Sequence, residues 1–293
     1  MVLAAVGQIC STASMSHNLQ QCRLLVQKAV SMGVKALFLP EASDYIASSG
    51  PETISLAKDV KESEFVLGLQ EEAQKANLCI NVGVHEPAQG GQKVKNTLLW
   101  IDEKGEIAQR YQKLHLFDVE IEGGPVLKES NSVEPGPSIL PPFPTVFGNV
   151  GLMICFDLRF PTISTALRTH PHHPAHLLTY PSAFTLPTGH AHWTPLLRAR
   201  AIETQTYVIA AAQVGRHNEK RVSYGKSMII DPWGRVVAEL DGVDVDGGKE
   251  LREGEGLRGP EIAVAEIDLG VVERVRREVP LRARGDVYGE VWG

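Results

Sequence analysis

Three stretches of this sequence are apolar at nearly every position: "VKALFLP", "GLMIC" and "YVIAAAQVG". A strand with one face in water alternates apolar and polar residues, so a strand apolar throughout must be covered on both faces. Helical signatures lie between such runs. "SHNLQQCRLLVQKAVSMG" has apolar residues at helical spacing, Ser16 as a candidate N-cap and Gly33 as a stop. With "VLAAVGQI" before it and "VKALFLP" after it, the chain opens as β-α-β. A further helix is expected over about 62–76, leading into the strand "LCINVGVHE". "NTLLWID" and "GEIAQRYQK" flank "EKG" as a hairpin. "TVFGNVGLMIC" reads as a second hairpin turning at Asn149, and "SMIIDPWGRVVAEL" as a third turning at Asp231–Gly234. "HLLTYP" and "YVIAAAQVG" read as strands and "HWTPLLRARAIETQ" as a helix. The fold class is therefore α/β with mixed sheets. No internal repeat is evident, and the pattern reads as one domain over 1–293.

The 293 residues suffice for a large core, and 43% hydrophobic with 22% charged residues is an ordinary globular balance. The net charge of −6, with no long basic run, argues against nucleic-acid or anionic-membrane partners. No apolar run approaches the roughly 18 residues of a membrane span. "MVLAAVGQIC" lacks the basic residues of a signal or transit sequence and reads as a buried strand. Four scattered cysteines without a Cys-x-x-Cys pair point to a reducing, cytoplasmic setting. The Pro-rich "EPGPSILPPFP" reads as a rigid connection, and the acidic, Gly-rich residues 241–260 as an exposed loop.

Cys155 ends "GLMIC" and is followed by "FDLRFP". Such a sharp turn after a strand lifts a nucleophile clear of the sheet and turns the following backbone N–H groups toward a substrate oxygen. Alone, though, a cysteine of this kind is more often buried and inert. Glu41 follows the strand end "LFLP", where α/β proteins gather their sites, although viewed alone it reads better as a loop or capping carboxylate. Lys113 lies just past a strand in "RYQKLHLFD", where a snorkelling surface lysine is the plain alternative.

Together, "FLPE", "YQKLHLFD" and "ICFDLRFP" resemble, in order, the three motifs of the nitrilase superfamily of carbon–nitrogen hydrolases. The resemblance runs from "AAVGQICST" to the terminal "RARGDVYG". It implies a four-layer α-β-β-α sandwich of the nitrilase type, commonly a homodimer or larger homo-oligomer, with no cofactor and no metal. It also implies Glu41 as general base, Lys113 as oxyanion stabiliser together with the backbone N–H of Phe156, and Cys155 as nucleophile forming a thioester. Glu129 in "LKESNSVEPG" falls where a supporting second acid belongs.

"LTYPSAF", "TGHAHWTPLLRARAIETQTYVIAAAQVGRHNEKRVSYGKSMIIDPWG" and "RARGDVYG" resemble the Nit branch, and within it the amidases of deaminated glutathione. That implies a small-molecule amide substrate cleaved to 2-oxoglutarate and cysteinylglycine. The ω-amidases, which act on 2-oxoglutaramate, are the alternative within the branch. Two carboxylates on such a substrate call for cationic and amide donors. Arg216, Asn218, Lys220 and Arg221, in the expected loop after "YVIAAAQ", are the candidates, against the reading of a solvated charge run. Arg159 reads slightly better as a structural ion-pair partner of Asp157 or another acid than as a substrate contact. One position departs from the branch: "YGKS" carries Lys226 where histidine is usual. The "HPHHPAH" run, His170 to His176, reads as a surface connection, because its prolines break regular ligand spacing. A nitrilase-like interaction protein is the non-enzymatic alternative, and the complete Glu41–Lys113–Cys155 set argues against it.

Overall fold

The computed structural model describes residues 2–120, 126–244, 250–282 and 284. The chain builds its first sheet from β1 (Val2–Ile9), β2 (Ala36–Phe38), β3 (Cys79–Pro87), β4 (Val94–Ile101) and β5 (Ile107–Gln112). A small ribbon follows, β6 (Asp118–Glu120) with β7 (Val126–Lys128), and then β8 (Val133–Glu134) beside β4. The second sheet contains β9 (Phe143–Thr145), β10 (Gly148–Leu152), β11 (Leu177–Thr179) and β12 (Tyr207–Ala210). β13 (Ala212–Asn218) and β14 (Arg221–Tyr224) return to the first sheet, and β15 (Met228–Ile230) and β16 (Val236–Glu239) complete the second. β17 (Glu261–Ile267) runs antiparallel to β1.

Strand parity sorts side chains between two cores. Ala4, Val6, Phe38, Leu98 and Trp100 face the second sheet, while their neighbours Ala5, Leu37, Leu39, Leu99 and Ile101 face helices. Those helices are α1 (Met15–Ser31) and α3 (Glu64–Ala76), with the short α2 (Gly50–Leu56) between them. The outer face of the second sheet is covered by α4 (Pro161–Arg168) and α6 (Thr194–Thr204). A short α5 (Leu186–Thr188) and a π-turn at Gly189–Trp193 lead into α6, and α7 (Leu269–Glu278) follows β17. The result is the expected four-layer α-β-β-α sandwich.

The structure corrects several details. The N-cap of α1 is Ser14, whose side chain accepts from the His17 N–H, and not Ser16. The hairpin between β9 and β10 turns at Val146-Phe147, because Asn149 is already paired opposite Pro144. "YVIAAAQVG" is two strands rather than one, with the chain changing sheets at Ala211. Within the acidic loop, residues 245–249 lie outside the described residues. Its later part is strapped to β13, with the Gly254 N–H donating to the Arg216 carbonyl and the Arg216 N–H to that of Glu255. The terminal "RARGDVYG" lies almost entirely outside the described residues.

Candidate active site

Glu41, Lys113 and Cys155 each follow the C-terminal end of a strand, β2, β5 and β10 respectively. The two sheets bring these ends together. Glu41 is 4% exposed and Lys113 2%. The Glu41 segment lies directly on β3: the Ser43 N–H donates to the Gly83 carbonyl and the Gly83 N–H to that of Pro40. A Cβ at Gly83 would stand 2.6 Å from the Glu41 Cα, so only glycine allows this approach.

Lys113 Nζ donates to Glu41 Oε1 at 2.8 Å and to both carboxylate oxygens of Glu129, at 3.1 and 2.9 Å. It is a buried ammonium clamped between two acids, and not a snorkelling surface lysine. Glu129 opens a 3₁₀ turn at Glu129–Asn131 and also accepts from the Phe117 N–H at 2.6 Å. Asn96, absent from the sequence reading, links the two acids. Its Nδ2 donates to Glu41 Oε1 at 2.8 Å and to Glu129 Oε1 at 3.2 Å. A polar residue opening the apolar run "NTLLWI" was the available signal.

Cys155 begins a 3₁₀ turn, Cys155–Arg159, with a φ of 44°, a left-handed conformation costly for a non-glycine residue. The surroundings enforce it. The Cys155 N–H donates to the Pro181 carbonyl at 3.0 Å. Asp157, fully buried, accepts from the Ile154 N–H at 3.0 Å and the Tyr111 hydroxyl at 2.7 Å, and from the His115 N–H and Nδ1 at 3.0 and 2.9 Å. One carboxylate thus ties the cysteine turn to the segment that carries Lys113. Asp157 is therefore not the partner of Arg159, contrary to expectation. Arg159 bonds His192 Nδ1 at 3.0 Å, spans the rings of Phe156 and Phe184, and faces the cavity.

The electrostatics follow from burial and three neighbouring charges. Burial raises the Cys155 thiol and the Glu41 charge raises it further, outweighing the opposing pull of Lys113 and of the Ala183 N–H that donates to the sulfur. Burial pushes Glu41 up too, but the Lys113 charge and hydrogen bonds from Lys113, the Cys155 thiol and Asn96 bring it below the usual carboxylate range. Burial works to lower Lys113, yet Glu129 and Glu41 hold it well above its ordinary value. The resting site is thus a thiol, donating to a carboxylate that is itself held by an ammonium.

This pairing stabilises the fold over a defined window. Glu41's share is complete above its unfolded pKa and lost as pH falls through the lowered folded value. Lys113's is complete below its unfolded pKa and lost as pH rises through the raised folded value. Lys113→Met leaves Glu41 and Glu129 without their cation, so at neutral pH it should destabilise the protein by about 3–5 kcal/mol. Urea unfolding measures this, and the deficit should shrink on acidification as the orphaned acids take up protons.

These groups line one cavity of about 590 Å³, together with Phe156, Asn218, Lys220 and Arg221. Arg216 does not belong with them: it is absent from the lining, and its Nε donates to the Leu251 carbonyl at 2.8 Å. A β-bulge between Arg216 and Asn218 breaks the two-residue alternation that would otherwise point both to one side. Arg216 and Asn218 lie in β13 and Arg221 in β14 rather than in one loop, and Lys220 stands in the turn that joins the two strands. Lys226 is not among the lining residues either. It holds a φ of 64°, and its carbonyl accepts from Trp193 Nε1 at 2.8 Å. Among the described residues no group of three or more His, Cys, Asp or Glu side chains could hold a metal ion. In the histidine run, His176 Nδ1 accepts from the Asn149 N–H and the ring of His170 stacks on His173. No helix among the described residues is long and apolar enough to cross a membrane.

Comparison with known proteins agrees with this architecture. Residues 3–277 match the carbon-nitrogen hydrolase family model. The chain is 47% identical to a probable hydrolase, nit2, of Schizosaccharomyces pombe, over 98% of this chain and 99% of that one. It is 42% identical to the human deaminated glutathione amidase, over 99% of this chain and 84% of that protein. The crystal structure of the C. elegans NitFhit protein superposes with a TM-score of 0.87 at 40% identity, covering 98% of this chain and 66% of that longer one. This chain belongs to the carbon-nitrogen hydrolase family and is an amide-hydrolysing enzyme.

Proposed function

We propose that the enzyme hydrolyses deaminated glutathione to 2-oxoglutarate and cysteinylglycine through a thioester on Cys155. The observation that carries the reading is the buried Glu41–Lys113–Cys155 cluster on the wall of a cavity, in a chain so similar to a deaminated glutathione amidase.

In this reading the Cys155 sulfur attacks the amide carbon while its proton passes to Glu41. Taking that proton removes the Glu41 charge that held one Lys113 N–H, which becomes available to the tetrahedral oxyanion. The Phe156 N–H is the second donor, because the second residue of a helical turn has no acceptor within the turn. Collapse breaks the C–N bond, and the leaving amine takes the proton from Glu41. Glu41 then accepts a proton from water, whose oxygen attacks the thioester. Loss of the thiolate, reprotonated by Glu41, releases 2-oxoglutarate. Glu129 keeps Lys113 charged and in place throughout. Asn218, Lys220 and Arg221 on the β13–β14 pair, with Arg159, supply donors for the substrate carboxylates. We read 1–293 as one hydrolase domain and the protein as a homo-oligomer, a reading that the exposed Ile202 and Trp233 support. Four free cysteines fit a cytoplasmic setting.

The test is kcat/KM for deaminated glutathione beside 2-oxoglutaramate. We expect the peptide amide to be preferred by about tenfold or more, since one well-made set of leaving-group contacts is worth over 1 kcal/mol. A preference for 2-oxoglutaramate would reassign the enzyme as an ω-amidase.

A further inference from the structure

The cavity wall carries His85, paired behind the wall to the buried Asp44, an acid–base pair that the thioester chemistry does not use. Asp44, 2% exposed at its side chain, is an acceptor in each of its carboxylate contacts. Its Oδ1 accepts from the Tyr45 N–H at 2.8 Å and from His85 Nδ1 at 3.0 Å, and its Oδ2 from the His85 N–H at 2.7 Å. One face of the imidazole is covered by Tyr45, whose ring stacks on it at 4.5 Å with an angle of 28° between the planes. His85 and Tyr45 both line the cavity. On β3, His85 lies two residues beyond Gly83, on the same face, and directly opposite Asn96 of β4. Its imidazole therefore neighbours the Asn96 amide that touches Glu41 and Glu129.

The hydrogen-bond network sets the ring's polarity. Because Asp44 accepts, Nδ1 carries the hydrogen, and in that Nδ1–H tautomer the lone pair available to a ligand is on Nε2. Among the described residues, Nε2 has no hydrogen-bond partner. The Nδ1 edge is committed to Asp44 and one face to Tyr45. The 11% of the side chain that remains exposed is what the cavity meets. A pinned imidazole presenting one acceptor beside a reaction centre is built to receive a donor from a ligand.

We propose that His85 is a specificity-determining residue whose Nε2 accepts a hydrogen bond from the glycine amide N–H or the thiol S–H of the departing peptide, donors that 2-oxoglutaramate lacks, with Asp44 and Tyr45 as the positioning residues behind it. This rests on the reading given under Proposed function. The acyl half of that substrate offers a keto group and a carboxylate, which are acceptors. The leaving peptide carries amide N–H groups and a thiol, which are donors. An acceptor in the cavity wall thus selects the leaving side.

The two candidate substrates share their acyl group and give the same thioester, differing only in whether a peptide or ammonia departs. A defect in the shared machinery must therefore strike both, whereas loss of a leaving-group contact strikes only the peptide amide. The variant is His85→Asn, which keeps a donor at the Nδ1 position for Asp44 and removes the Nε2 acceptor. With deaminated glutathione, we expect about a tenfold rise in KM with kcat little changed, the size of one lost hydrogen bond in a desolvated site. With 2-oxoglutaramate, both constants should stay within about twofold of wild type. His85→Ala, which also abandons Asp44, should lower thermal stability and impair both substrates. Equal losses on both substrates in His85→Asn would overturn the proposal and leave His85 as a clamp on the Glu41 segment. So would unaltered kinetics on both. The wild-type preference is read separately: absence of any preference for the peptide amide removes the substrate assignment, and the leaving-group role falls with it.

Discussion

Glu41→Gln is expected to cut turnover by about a thousandfold or more while making Cys155 more reactive toward iodoacetamide. The two effects have one cause. In the proposed mechanism Glu41 is the base the thiol needs during attack, so its loss removes proton transfer from the transition state. At rest, however, the Glu41 charge and its hydrogen bond to the thiol both oppose ionisation of Cys155, while Lys113 favours it. Burial still raises the thiol in the variant, but replacing the carboxylate by an amide removes the Glu41 charge and leaves Lys113 and the Ala183 N–H to oppose burial, so the thiol becomes more acidic than in wild type. Alkylation follows the thiolate fraction, so it should run roughly tenfold faster or more at about pH 7 in the variant. The wild-type rate should still be climbing at alkaline pH. A thiolate–ammonium pair already formed at rest would show the reverse, with fast wild-type alkylation and little change on substitution. The lowered Glu41 also fixes the acid side of the wild-type profile. Turnover requires the carboxylate form, so kcat/KM should hold from about pH 7 down to about pH 5 and fall only below the ordinary carboxylate range.

Cys155→Ala should carry the largest effect on activity, a loss of about 10⁵-fold or more, because no covalent intermediate can form. Its effect on stability should be small. The substitution removes one sulfur from a position already in contact with the cavity and leaves the Lys113 ion pairs and the Asp157 hydrogen bonds intact. Full activity loss with a near-native melting temperature therefore separates a chemical role from a structural one. Loss of both together would place Cys155 among the core residues.

The candidate site was legible in the sequence mainly through the resemblance of three motifs, in order, to a known family, since Glu41, Lys113 and Cys155 taken singly each read better as structural or surface residues. That the sheets are covered on both faces was legible from runs such as Leu37–Phe38–Leu39, which are apolar at every position, whereas the count of four layers came with the family resemblance. What stayed hidden depended on distances between remote segments. Asn96 bridges Glu41 and Glu129 only because β4 crosses beneath both. Asp157 looked like a partner for its neighbour Arg159, yet burial and four donors commit it to Tyr111, His115 and Ile154. Arg216 and Asn218 share a parity in the sequence, and a bulge sends them to different places. The sheet change at Ala211 left only a faint local mark, the polar Gln213, since Tyr207–Ala210 and Ala212–Val214 are equally buried. His85 was read as one residue of a strand, because its partner Asp44 lies in another segment entirely.

The most direct measurement is an acid-quenched turnover followed by intact mass and peptide mapping. With either deaminated glutathione or 2-oxoglutaramate, we expect one 2-oxoglutaryl group bound as a thioester to Cys155, identical from both amides and absent from Cys155→Ala. An adduct on another residue, or undiminished turnover by Cys155→Ala, would contradict the proposed mechanism.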